Sequence, residues 1–409
     1  MEFYELNEQE FLNFTVSYDK SNFLQTINMA NYYKLSNRKV YYVGIKNKGE
    51  VIAAGLIYGI KSKLGYHYFI ARGYLVDYTN SEVLSLLNKG TVKLLKKNKG
   101  ISLTLEPDIL TCKRDSNGLI LEDSIINFDI YKNIIKLGYT SSDFKLESDE
   151  TKQIRWGFSL NLKGKTKDEI FSEFNSTTRN LIRKSIKYGV EVVEVNYNDL
   201  ERFKGICDSS ANRKSFNSKS LAYFQAMYKS FVDDSKIKFM IAQLDVDFYR
   251  NYLDEERSVI LTKQDNIRDQ KSNKYIEYQE AINNIDKRID FIKPYIGEGN
   301  QKLDLACAMF MIDKNETTYL FSGSNDKFLY FNGQYLLQWY IIQYAIENSI
   351  QRHNFYGITG DLHKDNPKYG VYDFKKGFNG NVDEYLGDFK YIISNTRNNI
   401  IKVFKIFKR

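Results

Sequence analysis

Apolar and polar positions along the first hundred residues alternate in short runs. KVYYVGIKN (39–47), VIAAGLIYGI (51–60) and YHYFIARGYLV (66–76) are separated by glycine and charged turn residues, and their period predicts a meander of strands. The period then lengthens: SEVLSLLNKGTVKLLKKN (81–98) reads as a helix, and ISLTLEP (101–107) returns to a strand. Strands with an interposed helix predict an α+β domain over residues 1–150.

The same grammar recurs after Trp156. GFSLNL predicts a strand, DEIFSEFNSTTRNLIRKSIKYG a single helix closed by Gly189 as its C′ residue, and VEVVEV another strand. A helix over Leu221–Val232 and a strand KFMIAQL (238–244) complete the first part of a second α+β domain, residues 151–244.

From Asp245 to Pro294 the chain is charged, favours helix and lacks glycine. Tyr275, Tyr278, Ile282, Ile285, Ile289 and Ile292 recur in alternating steps of three and four, the spacing of a coiled-coil seam. Val246, Tyr249, Leu253 and Ile260 supply a facing stripe. The expectation is an antiparallel helical hairpin, residues 245–295, inserted into the second domain, whose strands resume at LDLACAMFMI (303–312) and continue to residue 392. The final segment, 393–409, is basic and amphipathic. Two readings of it stand side by side: a terminal helix docked on the first domain, or a weak contact with a membrane surface.

The chain has 409 residues, 43% hydrophobic and 15% aromatic, enough for two cores. Its net charge of +8 suggests tRNA, an anionic lipid headgroup or a phosphorylated precursor as partner, and solubility alone explains it equally well. Cys112, Cys207 and Cys307 form no CxxC pair, which argues against a zinc site or a disulfide framework. The N-terminus has no apolar signal region and no run of about 18 apolar residues occurs, so a cytoplasmic protein is expected. His67, His353 and His363 make no metal spacing, and no Walker loop, GxSxG elbow or dinucleotide fingerprint appears. No cofactor is expected.

The densest cluster of motifs lies near the end: FSGSNDKFLYFNGQYLLQW (321–339), NFYGITGDL (354–362) and YDFKKGFNG (372–380). With FLQT (23–26), Tyr33 and Lys34, ARGYLVDY (71–78), LTLEPD (103–108), RNLIRKSIKYGVEV (179–192) and NRKSFNSKSLAYF (212–224), it resembles the FemABX family over almost the whole chain. The resemblance implies two domains of the acetyltransferase-like (GNAT) fold with a helical hairpin in the second. It also implies transfer of an amino acid (glycine, serine or alanine) from aminoacyl-tRNA to the stem-peptide amine of a peptidoglycan precursor, lipid-linked or nucleotide-linked.

Position by position, the resemblance makes Lys34 a contact to the precursor phosphates, although Tyr33 stands where relatives often carry Trp. Arg213 corresponds to a second precursor contact and Tyr330 to an aromatic beside the acceptor peptide. Lys375, in FKKGF, corresponds to the lysine near the acyl-donor end of the tRNA, where it would neutralise phosphate or stabilise the oxyanion of ester attack.

An acceptor lysine with a pKa near 10.4 is almost wholly protonated at pH 7, a deficit of about 4–5 kcal/mol. A carboxylate accepting the proton would offset it. Asp108 is the nominee among the carboxylates of these loops, beside Glu106 and Asp361. Two other readings remain: acyl-CoA-dependent transfer, for which no pyrophosphate-cradling glycine loop is evident, and a non-catalytic scaffold binding nucleic acid or partners through the helical arm.

Overall fold

The structure is a computed structural model that describes residues 1–20, 22–141, 146, 153–214, 218–297 and 301–406, with backbone alone for 212–214 and 402–406. The chain begins with β1 (Glu2–Glu5), α1 (Glu8–Ser17), α2 (Ile27–Leu35), β2 (Lys39–Asn47), β3 (Glu50–Ser62) and β4 (Gly65–Ala71). It continues through α3 (Ser81–Lys97), β5 (Gly100–Glu106), β6 (Leu110–Lys113), α4 (Phe128–Lys136) and β7 (Thr140–Ser141). The second half opens with β8 (Trp156–Asn161), α5 (Lys167–Glu173), α6 (Ser176–Lys187), β9 (Val190–Glu194), α7 (Leu200–Lys214), α8 (Leu221–Phe231) and β10 (Ile237–Asp245). Then come the long helices α9 (Val246–Asp265) and α10 (Asn273–Ile292), followed by β11 (Lys302–Ile312), β12 (Glu316–Ser324), α11 (Gly333–Glu347) and β13 (Arg352–Gly357). The last elements are α12 (Tyr369–Lys376), β14 (Asn381–Tyr385), β15 (Phe389–Ile392) and α13 (Asn395–Ile406).

These strands form two sheets, one ordered β1-β2-β3-β4-β5-β15-β7 and one ordered β6-β14-β8-β13-β12-β11-β10-β9. Each is antiparallel except for one parallel pair, β4/β5 in the first and β12/β13 in the second. Those pairs need crossovers, and α3 and α11 supply them. The two mixed sheets are the arrangement expected of tandem acetyltransferase-like units. Two strands trade places: β6, from the expected first domain, pairs with β14 in the second sheet, and β15, from the expected second domain, pairs with β5 in the first.

The second sheet is covered on both faces, which explains its nearly continuous apolar strands. On one face Met240, Ala242, Ala308 and Phe310 pack under α11 through Leu337, Ile341 and Ile342. On the other, Phe239, Ile241, Cys307 and Met309 meet Phe203 of α7 and Phe224 of α8, and the same cluster takes in Phe11, Leu24, Met29 and Tyr33 of the first domain. Each buried Leu, Ile, Met or Phe among them contributes about 1.5–3 kcal/mol. A shared core of this kind fixes the domains against each other and places a cleft at their seam.

The long helix expected after Asp168 is broken. Phe174 turns extended, Asn175 accepts the Thr178 N–H at 2.7 Å as the N-cap of α6, and Phe174 packs on Trp339 and Phe378. Periodicity continues across the break, but burial of Phe174 requires the chain to turn. At the far end Gly189 sits at φ +76°, the left-handed C′ position expected of it.

Helices α9 and α10 pair side by side. Their contacts run in opposite chain directions: Gln264 to Gln279, Arg257 to Asp286, and Tyr249 to Arg288. Val246, Tyr249, Leu253, Ile282, Ile285 and Ile292 are buried at the seam. The terminal helix α13 follows β15 and packs against β5; the side chains beyond Ile401, which include Lys402, Lys405, Lys408 and Arg409 of the basic segment, lie outside the described residues. Among the described residues no helix is long and apolar enough to cross a membrane.

Candidate active site

The site begins with a strand that leaves its neighbour. β12 and β13 are in register for only three pairs, Glu316 with Arg352, Thr317 with His353 and Thr318 with Asn354. The closed end is pinned by Arg352, whose guanidinium bonds Glu316 at 2.9 Å and Asp383 at 2.6 Å. Burial holds the Glu316 carboxyl above its usual range, with Arg352 opposing. Beyond Asn354, its Oδ1 accepts the Tyr356 N–H at 2.8 Å, and Tyr356 takes φ +64°. This local turn bulges β13 away toward β8 while β12 stays on β11, and a V-shaped split opens.

Lys375 of α12 reaches into the split. Only 5% exposed, it donates to the Gly357 carbonyl at 2.6 Å and lies 6.0 Å from the Tyr319 ring centre. Beneath it His353 is fully buried between Thr317 Oγ1 at 2.8 Å and Gln338 Oε1 at 2.9 Å. Burial, and secondarily the Lys375 charge, push its pKa down to about 3, so the imidazole is neutral at physiological pH.

On the opposite face of the sheet the split meets a cleft of about 1070 Å³ at the domain seam. The first domain lines it with Tyr33, Arg38, Tyr58 and Glu106, the second with Tyr223, Phe321, Tyr356 and the Gly357–Thr359 backbone. The Arg38 guanidinium lies 5.1, 5.3 and 5.8 Å from the rings of Tyr58, Tyr33 and Tyr32, a cation held on aromatic faces. Lys219 enters near the same end, 5.9 Å from the Tyr223 ring. Glu106, 4% exposed, accepts the Gln153 N–H at 2.9 Å, and Gln153 Oε1 in turn accepts from the Tyr356 hydroxyl at 3.0 Å. The cleft is thus cationic and aromatic at one end and carries a buried carboxylate close to the split.

Of the residues singled out from sequence, Lys375 lies at the split and Glu106 lines the cleft beside it. Lys34 is off the cleft lining, half-exposed and paired with Glu8 at 2.6 Å. Asp108 accepts from Asn22 at 3.1 Å and faces Arg72 at 3.8 Å, also off the lining. Tyr330 is on the other face of the sheet, its hydroxyl 2.8 Å from that of Tyr188. Arg213 is in the last turn of α7 and its side chain lies outside the described residues. Sequence reasoning missed Arg38, whose place after α2 carries no motif, and the pivot role of Asn354 and Tyr356, whose only mark in the sequence is their place in NFYGITGDL. Among the described residues no cluster of His, Cys, Asp or Glu could hold a metal ion.

The FemAB family model matches residues 6–406. The chain is 30% identical over 425 residues to the aminoacyltransferase FemA of Staphylococcus epidermidis (strain ATCC 12228 / FDA PCI 1200), covering all of both chains. It is 29% identical over 401 residues to FemA of Staphylococcus aureus (strain NCTC 8325 / PS 47), covering 95% of this chain and 94% of the relative. The crystal structure of FemX superposes with a TM-score of 0.77 at 23% identity, over 98% of this chain and 100% of FemX. Full-length agreement of this kind, in sequence and in fold, establishes that the chain is an aminoacyltransferase and belongs to the FemAB family.

Proposed function

We propose that the protein moves glycine, serine or alanine from aminoacyl-tRNA to the stem-peptide side-chain amine of a peptidoglycan precursor, building the interpeptide bridge. The observation that carries this reading is Lys375, held at the Gly357 carbonyl inside a split that joins the two faces of the second sheet. The acceptor occupies the cleft at the domain seam, with its phosphates at the Arg38 and Lys219 end and its amine toward Glu106. The donor ester approaches from the face covered by α11 and reaches the split beside α12, whose Val371 borders the cleft.

In the transfer the amine nitrogen bonds the ester carbonyl carbon, and the bond from that carbon to the ribose oxygen breaks. Lys375 stabilises the charge that develops on the carbonyl oxygen. The proton lost by the amine passes to Glu106 and finally to the ribose oxygen, so charge balances without a cofactor. Glu106 is favoured over Asp108 because it faces the cleft and has a protein donor fixing one oxygen, whereas Asp108 is turned to Arg72 and Asn22.

The test is transfer of radiolabelled glycine, serine and alanine from charged tRNA to lipid-linked and nucleotide-linked precursors, branched and unbranched. Transfer that collapses in Lys375→Ala supports the reading and names donor and acceptor together. Folded wild-type protein that transfers to none of these acceptors would overturn it.

A further inference from the structure

Helix α6 carries Arg179, Arg183, Lys184 and Lys187 and no acidic residue. Its first turn abuts the end of α12: the Asn175 N–H donates to the Gly377 carbonyl at 3.0 Å, two residues beyond Lys375. The approach is so close that a Cβ on Gly377 would lie 2.3 Å from Thr178 Oγ1. The other end of α6 reaches a cluster of aromatic and cationic groups at the base of the helical hairpin. There the Tyr188 and Tyr330 rings stack at 5.8 Å, Lys184 Nζ lies 4.2 Å from the Tyr330 centroid, and Arg288 lies 4.9 Å from that of Tyr188. Arg288 Nη2 has no hydrogen-bond partner there, and Tyr330 is 44% exposed.

A solvated helix face commonly mixes charges, as the hairpin arm does. The α6 face does not. Arg183 is exposed, rests on the Phe171 ring and makes no ion pair among the described residues. The Lys187 side chain is 61% exposed, with its ammonium 3.6 Å from Glu256 and 5.1 Å from the Tyr252 ring centre. Cations of one sign beside an exposed aromatic ring are the elements of a single-stranded nucleic-acid track. Twelve helical residues span about 18 Å, the length of about five nucleotides stacked 3.4 Å apart.

We propose that the outer face of α6, from Gly377 to Tyr330, is the track for the single-stranded 3′ end of the donor RNA, with Tyr330 as a stacking platform for one of its bases. This rests on the aminoacyl-tRNA reading above and gives Tyr330 a place on the donor side of the sheet, away from the acceptor cleft. The charges of α6 then lead the RNA toward Lys375, where its ester reacts.

The experiment measures binding of uncharged tRNA, with and without its single-stranded 3′ end, to the full chain at several salt concentrations. Single-turnover transfer from charged tRNA is followed in parallel. Arg183→Glu/Lys187→Glu is expected to weaken tRNA binding at least tenfold and to lower the slope of log affinity against log salt by about 1.4, two phosphate contacts, while precursor binding holds. Tyr330→Ala is expected to cost about tenfold with intact tRNA and nothing with the truncated one. Exposed substitutions of this kind leave folding intact, checked by circular dichroism. Unchanged tRNA affinity in both variants, with the wild type still transferring, overturns the track and leaves the tRNA reading standing. A wild type that neither binds tRNA nor transfers from it overturns both.

Discussion

The two parallel strand pairs are built alike and end differently. In the first sheet β4 and β5 slip by one residue after Tyr66 and then hold one register over five pairs, from His67 with Ser102 to Ala71 with Glu106, and the space between their crossover and the sheet is filled by Tyr68, Ile70, Leu103 and Leu105, all fully buried. In the second sheet β12 and β13 part after three pairs, and a lysine occupies the gap. The same topology thus serves as scaffold in one domain and as reaction channel in the other. What differs is one local device: an Asn side chain that captures a backbone N–H two residues on and turns the strand outward. The closed pair still contributes to the site, because its last residue is Glu106, which it delivers to the cleft.

The largest expected effect separates the pairs by function. Lys375→Ala should lower kcat about 10²- to 10³-fold, the range for loss of one oxyanion donor, with little change in precursor KM. Steady-state kinetics on folded variant check it, and a kcat within about threefold of wild type would remove Lys375 from the chemistry. In the closed pair, Leu105→Ala should do the reverse. Leu105 is fully buried, so truncation should cost about 3 kcal/mol of unfolding free energy, read from denaturant titration, and leave kcat unchanged at temperatures where the variant is folded. A strong loss of kcat in that folded variant would mean that the first sheet is more than a scaffold.

Glu106→Gln tests the point where the closed pair meets the channel. The amide keeps the size and the Gln153 contact but takes no proton, so a fall of about 10²-fold in kcat is expected at pH 7. Asp108→Asn, whose partners are Asn22 and Arg72, should change kcat less than Glu106→Gln does. The opposite order would restore Asp108 as the proton acceptor.

Much of this architecture is legible in the sequence, for definable reasons. Strands and helices follow from period, and the hairpin seam from Tyr275 to Ile292 is buried or half-buried where spacing placed it. The break before α6 is not legible, because apolar periodicity runs through Phe174 and only burial of that ring distinguishes a turn from a continuing helix. Lys375 is legible through its motif. The choice between Glu106 and Asp108, two residues apart at one strand end, depends on which one the register turns inward, and a sequence carries no record of that. Lys34 and Arg38 pose the same problem across the end of α2: rotation of the helix pairs the first with Glu8 and leaves the second at the cleft.

The smallest effect concerns the floor of the split, where the open pair buries its histidine completely while the closed pair leaves His67 partly exposed. His353 stays neutral in the fold down to about pH 3, whereas in the unfolded chain it gains a proton near pH 6.5. Between those values the unfolded state binds more protons, so stability falls as pH falls, by up to about 1.4 kcal/mol per pH unit, and is independent of this group above about pH 6.5. Carboxylates titrate over part of the same range, so the readout is the difference between wild type and His353→Gln in unfolding free energy from about pH 7 to about pH 5. The variant carries a constant cost for the altered hydrogen bonds to Thr317 and Gln338, but its profile should be flatter over that interval. Parallel profiles would mean that His353 is protonated in the fold and that the split is wetter than its burial implies. Lys375→Ala sharpens the point, because the Lys375 charge is the lesser of the two causes that hold the imidazole neutral. Removing it should move the acid limb only slightly, since the closed end of the V still keeps water from the ring.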